Sequence, residues 1–331
     1  MNQDVFDAVN HLLTQECSSA TIGAIEQGAE WRGLWETLEA SGFADALVPE
    51  SAGGAELPMS EALALALACG QHALPLPWAH TMLIRGLLSR HGVAIPAEPI
   101  VVASHAAASA DGSVRAQVPW GRVCTQVIVQ LQGQWWLLPT DEAQVTALGG
   151  WGSLDAECSW SHWPAEARRL PAADWYAQSA NVTAGLIAGC LESTFEITIR
   201  YANERIQFGK PISKIQAIQQ QLSVMAEHTF AARMAAQIGW HHPLSESHWQ
   251  ALAVAKQRTS EAVTVCAPIA HAVHGAMGFT AEYDLHWRTR RMHEWRLHFG
   301  SEGYWATQLG KHHLAAAGDA LDLARGALVS S

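Results

Sequence analysis

The stretch that decides the fold is residues 201–225, YANERIQFGKPISKIQAIQQQLSVM, where one helical pattern ends and a second begins. Gly209 and Pro211 must interrupt the helix, because proline lacks the N–H donor and its ring clashes with the preceding turn. The next helix is predicted to begin near Ser213, where free backbone N–H groups favour an anion. Arg205, one turn before the predicted break, would bring a guanidinium group to the same point.

Two interpretations of this junction follow from the residues. A phosphate-bearing cofactor lying across the break would use Arg205 for charge, Gln207 for a hydrogen bond and Phe208 for ring packing. Alternatively, the junction is an ordinary helix hairpin whose arginine points into water. The residues alone favour the second interpretation.

The bulk composition describes a folded protein with no nucleic-acid or membrane partner. At 331 residues, with 49% hydrophobic and 15% charged residues, the chain suits two or three domains. Its net charge of −11 argues against a nucleic-acid-binding surface, which needs clustered Lys and Arg. No run of about 18 apolar residues exists, so no membrane span is expected. The N-terminus lacks the basic-then-apolar order of a signal peptide, which favours a cytoplasmic location.

The cysteines and histidines predict no metal site. Six cysteines are scattered without a CxxC pair, which favours reduced thiols over a disulfide framework or a zinc site. The adjacent pairs His241-His242 and His312-His313 do not suit one ion, because neighbours on a helix point about 100° apart.

The periodicity divides the chain into three parts and predicts a mainly α fold with a small central β-domain. Residues 1–95 read as helices, 96–168 as a reduced β-domain with alternating strands, and 169–331 as helices again. Four long helices with short connections indicate an antiparallel four-helix bundle. Their predicted bounds are Asn181–Glu204, Ile215–Trp240, Ser245–His274 and Ser301–Ala324.

Three motifs in this order resemble those of acyl-CoA dehydrogenases. Residues 205–226, RIQFGKPISKIQAIQQQLSVMA, resemble the family's R-x-Q-F-G-x-P-I-x-x-x-Q-A-I-Q helix junction. Residues 271–291, HAVHGAMGFTAEYDLHWRTRR, resemble its Q-V-H-G-G-x-G-F-T-x-E-x-x-L-H region. Residues 42–65, GFADALVPESAGGAELPMSEALAL, resemble its N-terminal helix and P-E-x-x-G-G loop. The α–β–α order is also that of the family's fold, with a β-barrel-like middle domain.

The resemblance implies a flavoenzyme whose FAD lies between the β-domain and the bundle. In that family the partner protomer closes over the ADP half of the cofactor. Carried over to this sequence, the residues that meet the neighbour's pyrophosphate or adenosine are Arg205, Gln207, Phe208, Gln216, His274 and Gly275. The odd grouping of Arg, Gln and Phe is then explained by a cofactor bound to another chain.

The catalytic base of the family is missing here. The chemistry removes a proton from the α-carbon of an acyl thioester, which needs a carboxylate within hydrogen-bond reach. The positions that carry this carboxylate in family members are occupied by Phe299, Leu186 and Ser179. Glu302, about one helical turn from Phe299, is the alternative candidate for the catalytic base.

Other departures lie in the flavin-binding parts. Residues 97–165 lack the Thr- and Ser-rich strand and the W-[I/S]-T/S element that hold the flavin ring. Ala272 and Ala276 replace the glutamine and second glycine of the adenine loop. Glu282 is expected to pair with an arginine, either Arg288, Arg290 or Arg291.

The sequence is therefore similar to the short, non-catalytic subunit of heteromeric acyl-CoA dehydrogenases, such as those acting on steroid side-chain CoA thioesters. The resemblance implies a heterotetramer in which a longer acyl-CoA dehydrogenase subunit supplies the base, with an electron-transfer flavoprotein or similar acceptor. One alternative is a self-sufficient homomeric enzyme with Glu302 as base. Another is a scaffold that binds no flavin.

Overall fold

The computed structural model describes residues 3–244, 248–280 and 282–315, and begins with a run of helices. These are α1 (Gln3–Glu16), α2 (Ser19–Glu26), α3 (Arg32–Ala40), α4 (Met59–Gln71) and α5 (Trp78–Arg90). Gly42 lies just after α3 with φ +78°, a conformation that glycine adopts without strain at a helix end. Helix α4 is buried from Ala62 to Gly70 and forms part of the core.

The middle of the chain forms two four-stranded sheets. The first contains β1 (Ile100–Val102), β4 (Gln126–Leu131), β5 (Gln134–Pro139) and β8 (Arg168–Leu170), in that order. The second contains β2 (His105–Ala108), β3 (Val114–Val118), β7 (Ala156–Trp160) and β6 (Gln144–Ala147). A turn at Gln132-Gly133 joins β4 to β5, and both of its residues have positive φ, as a two-residue hairpin requires.

The third run contains the bundle helices. They are α6 (Trp175–Glu204), α7 (Gln216–Gly239), α8 (Trp249–His274), α9 (Leu285–Leu297) and α10 (Glu302–Ala315). Helices α6, α7 and α8 pack on one another, and α10 packs on α8. Close contact between α4 and α6 depends on glycine, because a Cβ at Gly70 or Gly189 would overlap a backbone oxygen of the other helix. The mainly α fold with a small central β part is thus confirmed.

Several predicted details of the bundle are wrong. Helix α7 agrees with the predicted bounds Ile215–Trp240 within one residue at each end, but the start near Ser213 is too early, since a two-stranded hairpin and a 3₁₀ turn separate α7 from α6. Arg205 follows the last residue of α6 as its C-cap, so it lies at the break and not one turn before it. The basic and aromatic run after residue 284 forms a fifth helix, α9. The predicted start at Ser245 and end at Ala324 lie outside the described residues.

Two helices are long and apolar enough to cross a membrane by composition alone. They are α6 and the segment that begins with α8. In α6, 78% of the apolar window is buried inside the protein, and α8 packs against α6, α7, α9 and α10. For the second segment 44% of the apolar window is buried, so the bundle accounts for the apolar character of α6 more fully than for that of the segment with α8.

Candidate functional site

A cavity lies at the junction between the end of α6 and the loop after α8, and we call it the junction cavity. It encloses about 300 Å³. The α6–α7 connection contributes Tyr201, Arg205, Gln207, Ile212, Ile215 and Ile218, and the opposite wall is residues 272–277. Four predicted cofactor residues, Arg205, Gln207, His274 and Gly275, are thus brought together although they are far apart in the sequence.

The junction cavity is cationic on one side and apolar on its floor. Arg205 is exposed and makes no ion pair within the described residues. Among the residues that the structure describes, no acidic side chain lines the cavity. Residues 205–219 contain three cations and no acid in a chain with net charge −11. An unpaired guanidinium beside apolar side chains suits a phosphate group joined to a ring.

A short hairpin presents this edge of the cavity. Strands β9 (Ile206–Gln207) and β10 (Lys210–Pro211) pair in antiparallel register around a turn of Phe208 and Gly209. Both turn residues have positive φ, +52° for Phe208 and +75° for Gly209. A phenylalanine is strained in this conformation, whereas a glycine is not.

Two of the predicted cofactor residues do not line the cavity. The ring of Phe208 is 89% exposed and points away from the protein. Gln216 is also exposed, at the start of α7. Their roles as cofactor contacts stay predictions, and each would need a molecule that reaches beyond this chain.

Three aromatic rings, two of them stacked, join the wall opposite the hairpin to α6. Tyr201 stacks on His274 with ring centroids 4.4 Å apart, and the Tyr201 hydroxyl donates to the His274 carbonyl at 3.2 Å. His274 Nδ1 lies 2.7 Å from the Ala270 carbonyl, and Nε2 lies 3.2 Å from the Tyr283 hydroxyl. Burial lowers the pKa of His274. The imidazole therefore serves to hold the wall, and its ring nitrogens are already used.

The position expected to carry the catalytic base is sealed. Phe299 is completely buried with φ +54°. Its ring lies 5.6 Å from the ring of His80 and 5.6 Å from that of Tyr176. We call the surrounding group of buried rings the aromatic plug; it consists of His80, Trp120, Trp295, His298 and Phe299.

The aromatic plug joins all three parts of the chain. Trp120, which follows β3, lies 4.7 Å from His80 on α5 and 5.1 Å from His298 after α9, between ring centroids. Burial, together with the nearby His298, lowers the pKa of His80 to about 3, so this imidazole is neutral near pH 7. None of the five plug residues carries a carboxylate, so the plug has no carboxylate that could take a proton from a substrate.

The other predicted base positions are equally unsuitable. Ser179 is buried, and its hydroxyl donates to the Trp175 carbonyl at 2.8 Å. Leu186 is buried on α6 where Gly70 of α4 approaches. Arg296 stabilises the ionised form of Glu302, because it donates hydrogen bonds to both carboxylate oxygens. These bonds lower the pKa of Glu302, whereas a general base in this chemistry needs a pKa closer to neutrality.

The prediction for Glu282 is wrong. Glu282 is exposed and forms no ion pair within the described residues. Glu26 of α2 takes its place and binds Arg290 at 2.8 Å and Arg291 at 2.9 Å. The guanidinium of Arg290 also lies 4.6 Å from the ring of Trp151, so this contact ties the β sheets to α2 and α9.

A larger crevice of about 720 Å³ lies between residues 149–153 and α9. By resemblance it is the place for this chain's own FAD. Three carboxylates line it, those of Glu26, Asp155 and Glu294, and the two arginines present are already paired with Glu26. Neither arginine is left free for an FAD pyrophosphate, and the carboxylates would repel it. The residues of the crevice therefore do not fit FAD.

Asp155, Glu294 and His298 place possible metal-ligand atoms within 4.8 Å of one another. Each carboxylate already accepts two protein contacts. Asp155 accepts from the Trp120 backbone N–H and lies 2.7 Å from His298 Nε2. Glu294 accepts from the Ser153 hydroxyl and from Arg291. The cluster is satisfied by protein donors, and we assign no metal to it.

Sequence reasoning missed the residues that seal the base position and those that hold the cavity wall. His80, Trp120 and Tyr201 lie in no motif that predicts contact with Phe299 or Arg205. The large number of tryptophans, fifteen in the chain, indicated well-filled cores without indicating where they would lie.

Comparisons with known proteins agree with this description. Residues 178–314 match the family model described as acyl-CoA dehydrogenase, C-terminal domain. Acyl-CoA dehydrogenase IpdE2 of Mycobacterium tuberculosis is 30% identical over 105 residues, which is 32% of this chain and 32% of the relative. The match thus spans about a third of that relative's length.

Solved structures match over nearly the whole chain. A chain of the ChsE4-ChsE5 complex from Mycobacterium tuberculosis has a TM-score of 0.82 and 21% identity, with 96% of this chain and 98% of that chain covered. A chain of the Tcur3481-Tcur3483 steroid ACAD has a TM-score of 0.81 and 20% identity, with 95% and 98% covered. Residues 178–314 of this chain thus resemble the C-terminal domain of acyl-CoA dehydrogenases. The chain as a whole has the fold of that family, and the resemblance predicted from the motifs is confirmed.

Proposed function

We propose that this chain is the non-catalytic subunit of an FAD-dependent acyl-CoA dehydrogenase and that it completes the FAD site of a partner subunit. The single observation that carries the proposal is the contrast within one chain. Within the described part of the chain, Arg205 has no ion pair and lies on an open cavity without acidic side chains, whereas Phe299 seals the position of the base.

The junction cavity supplies contacts for the ADP half of a cofactor held by the partner. Arg205 would bind the pyrophosphate through a charge-assisted hydrogen bond, and Gln207 would add an uncharged one. The apolar floor and the wall at His274 and Gly275 would lie against the adenosine. FAD, when bound, supplies the hydride acceptor for oxidation between the α- and β-carbons.

The partner subunit would supply the carboxylate that removes the α-proton. This chain offers no suitable group at Phe299, and the alternative base Glu302 is held as an ion by Arg296. The self-sufficient homomeric enzyme is therefore less well supported than the two-subunit complex. The domain division at about residues 95 and 168 belongs to the same proposal, with the last domain forming the shared FAD site.

The substrate and the electron acceptor are proposed from similarity of fold to solved structures, and not from residues of this chain. Two chains of the same fold come from a two-protein complex and from a steroid ACAD. They support an acyl-CoA substrate with a steroid side chain and a heterotetrameric cytoplasmic complex. Electrons would then pass to an electron-transfer flavoprotein or a similar acceptor.

Co-expression tests the proposal. The chain would be produced alone and together with each acyl-CoA dehydrogenase encoded beside its gene, and FAD would be measured per complex. We expect colourless protein alone and a yellow complex with one neighbour. In that complex Arg205→Ala should weaken FAD binding about tenfold to a hundredfold, as expected for loss of a charge-assisted hydrogen bond.

Arg115→Ala is the matched control, because Arg115 is an exposed arginine on β3 far from the junction in the sequence. It should leave FAD binding unchanged. Yellow, active protein from the chain alone would support the homomeric alternative. A complex that holds FAD equally well with Arg205→Ala would support the scaffold alternative.

A further inference from the structure

A continuous chain of hydrogen bonds runs from Tyr283 to Arg205. The Tyr283 hydroxyl lies 3.2 Å from His274 Nε2. The carbonyl of His274 accepts from the Tyr201 hydroxyl at 3.2 Å. The carbonyl of Tyr201 in turn accepts from the backbone N–H of Arg205 at 2.9 Å. Three links thus connect the loop after α8 to the residue that caps α6.

The partners of His274 decide its tautomer and the direction of each bond. Nδ1 lies 2.7 Å from the Ala270 carbonyl, which can only accept, so Nδ1 carries the proton. Nε2 is then the acceptor, and the Tyr283 hydroxyl must donate to it. Burial lowers the pKa of His274, in agreement with a neutral ring. The imidazole is therefore locked by one bond on each nitrogen.

The stacked rings fix the width of the junction cavity. Tyr201 belongs to the wall that carries Arg205, and His274 belongs to the opposite wall. Their rings are 4.4 Å apart and nearly parallel, at 28°. Tyr283 packs against both rings, at 5.9 Å from Tyr201 and 5.0 Å from His274, but does not line the cavity.

We propose that Tyr283 and His274 are positioning residues that hold Tyr201, and through it Arg205, at the distance from the opposite wall that the partner's cofactor requires. The inference rests on the proposed function, because it concerns the residues that position Arg205 for its contact with the partner's cofactor. Arg205 has no ion pair of its own within the described residues, so the cap bond to Tyr201 and the bond from Ile212 N–H to its carbonyl fix its backbone.

A double-mutant cycle on the complex tests this inference. FAD dissociation constants would be measured by flavin fluorescence for the unaltered complex, Tyr283→Phe, Arg205→Ala and the double variant. Tyr283→Phe keeps the ring and removes only the hydroxyl. We expect it to weaken FAD binding about fivefold when Arg205 is present, the typical effect of one hydrogen bond, and less than twofold when Arg205 is absent.

Tyr304→Phe serves as the control, since Tyr304 is partly exposed and contacts Tyr176 and Trp305. It should leave FAD binding unchanged. The same loss for Tyr283→Phe in both backgrounds would show a general structural effect and overturn the positioning role, as would no loss at all. If Arg205→Ala itself has no effect, the proposed function fails instead, so the two failures are distinguishable.

Discussion

The junction cavity and the aromatic plug differ in what occupies them: the cavity is an open space, and the plug is filled with buried rings. The cavity has an exposed arginine without an ion pair among the described residues, and it is bordered by the α6–α7 connection with the adjoining helix ends and by residues 272–277. The plug fills its space with rings, and the carboxylates beside it are bound to protein donors. One chain thus combines an accessible cationic cavity with a buried, ring-filled position that offers no carboxylate.

The difference also explains why the two regions should respond differently to substitution. Changes in the plug alter packing among buried rings, so they act on folding stability. Changes at the cavity affect exposed groups with few partners, so they act on binding and leave folding nearly unchanged.

The largest effect is expected for Phe299→Glu. It places a carboxyl group among buried rings, and the unpaired polar group should lower the free energy of unfolding by about 4 kcal/mol. Chemical denaturation measures the loss. Phe299→Leu is the matched control and should cost about 1.5 kcal/mol, since it stays apolar.

The same variant tests the function of the plug. We expect no flavin and no dehydrogenase activity in the isolated Phe299→Glu chain, because one carboxylate does not create a crevice that fits FAD. An active, yellow isolated chain would contradict the contrast between plug and cavity. The activity change should in any case be smaller than the loss of FAD caused by Arg205→Ala in the complex.

A smaller effect is expected when the pH is lowered. The pKa of His80 falls from 6.5 in a free chain to about 3 in the fold, so the unfolded chain binds this proton first as the pH drops. The contribution of His80 to stability is therefore full above pH 6.5 and lost between about pH 6.5 and 3. Its slope is about 1.4 kcal/mol per pH unit.

His80→Gln isolates this contribution from that of the other buried histidines. Unfolding free energies would be compared between pH 7 and pH 5 for the variant and the unaltered chain. The variant should show the shallower dependence on pH. An equal change of unfolding free energy with pH in the two proteins would mean that His80 is not neutral in the plug. The plug would then carry a charge, as the cavity does.

The smallest effect on stability is expected for Phe208→Asn at the tip of the hairpin. Asparagine tolerates positive φ at this turn position, so the variant should raise the free energy of unfolding by about 0.5 to 1 kcal/mol. Phe208→Ala removes the same ring but retains the strain, so it should bring no such gain. Thermal denaturation of both variants measures the difference.

The exposed ring of Phe208 should matter only in the complex. Both variants should weaken association with the partner to the same extent, since both lack the ring that is 89% exposed in this chain. Analytical ultracentrifugation of the mixed subunits would measure the change. Unaltered association would leave the ring without a role at the partner interface.

Much of the fold could be predicted because its signals are local. Gly209 and Pro211 break a helix wherever they stand, and Gln132-Gly133 turns a chain between two alternating strands. The breaks were predicted within a few residues, but the hairpin at Ile206–Pro211 was not. A two-residue strand has no period to detect, so the start of α7 was placed too early.

The candidate site could be predicted only in part. The motifs brought Arg205 and Gly275 to one place, and the cavity contains both. The pairing of Glu282 was predicted wrongly, because Glu26 reaches Arg290 and Arg291 from the other end of the chain. No spacing in a sequence reveals such a contact.

The sequence by itself determined the order of helices, strands and helices and the absence of an acid at position 299. These properties follow from covalent structure and from interactions between near neighbours. Only the tertiary structure decided that Arg205 has no ion pair among the described residues, that Glu302 is bound to Arg296, and that His80 and Trp120 pack around Phe299. Charge pairing and burial depend on which distant residues meet, and only the packed fold specifies that.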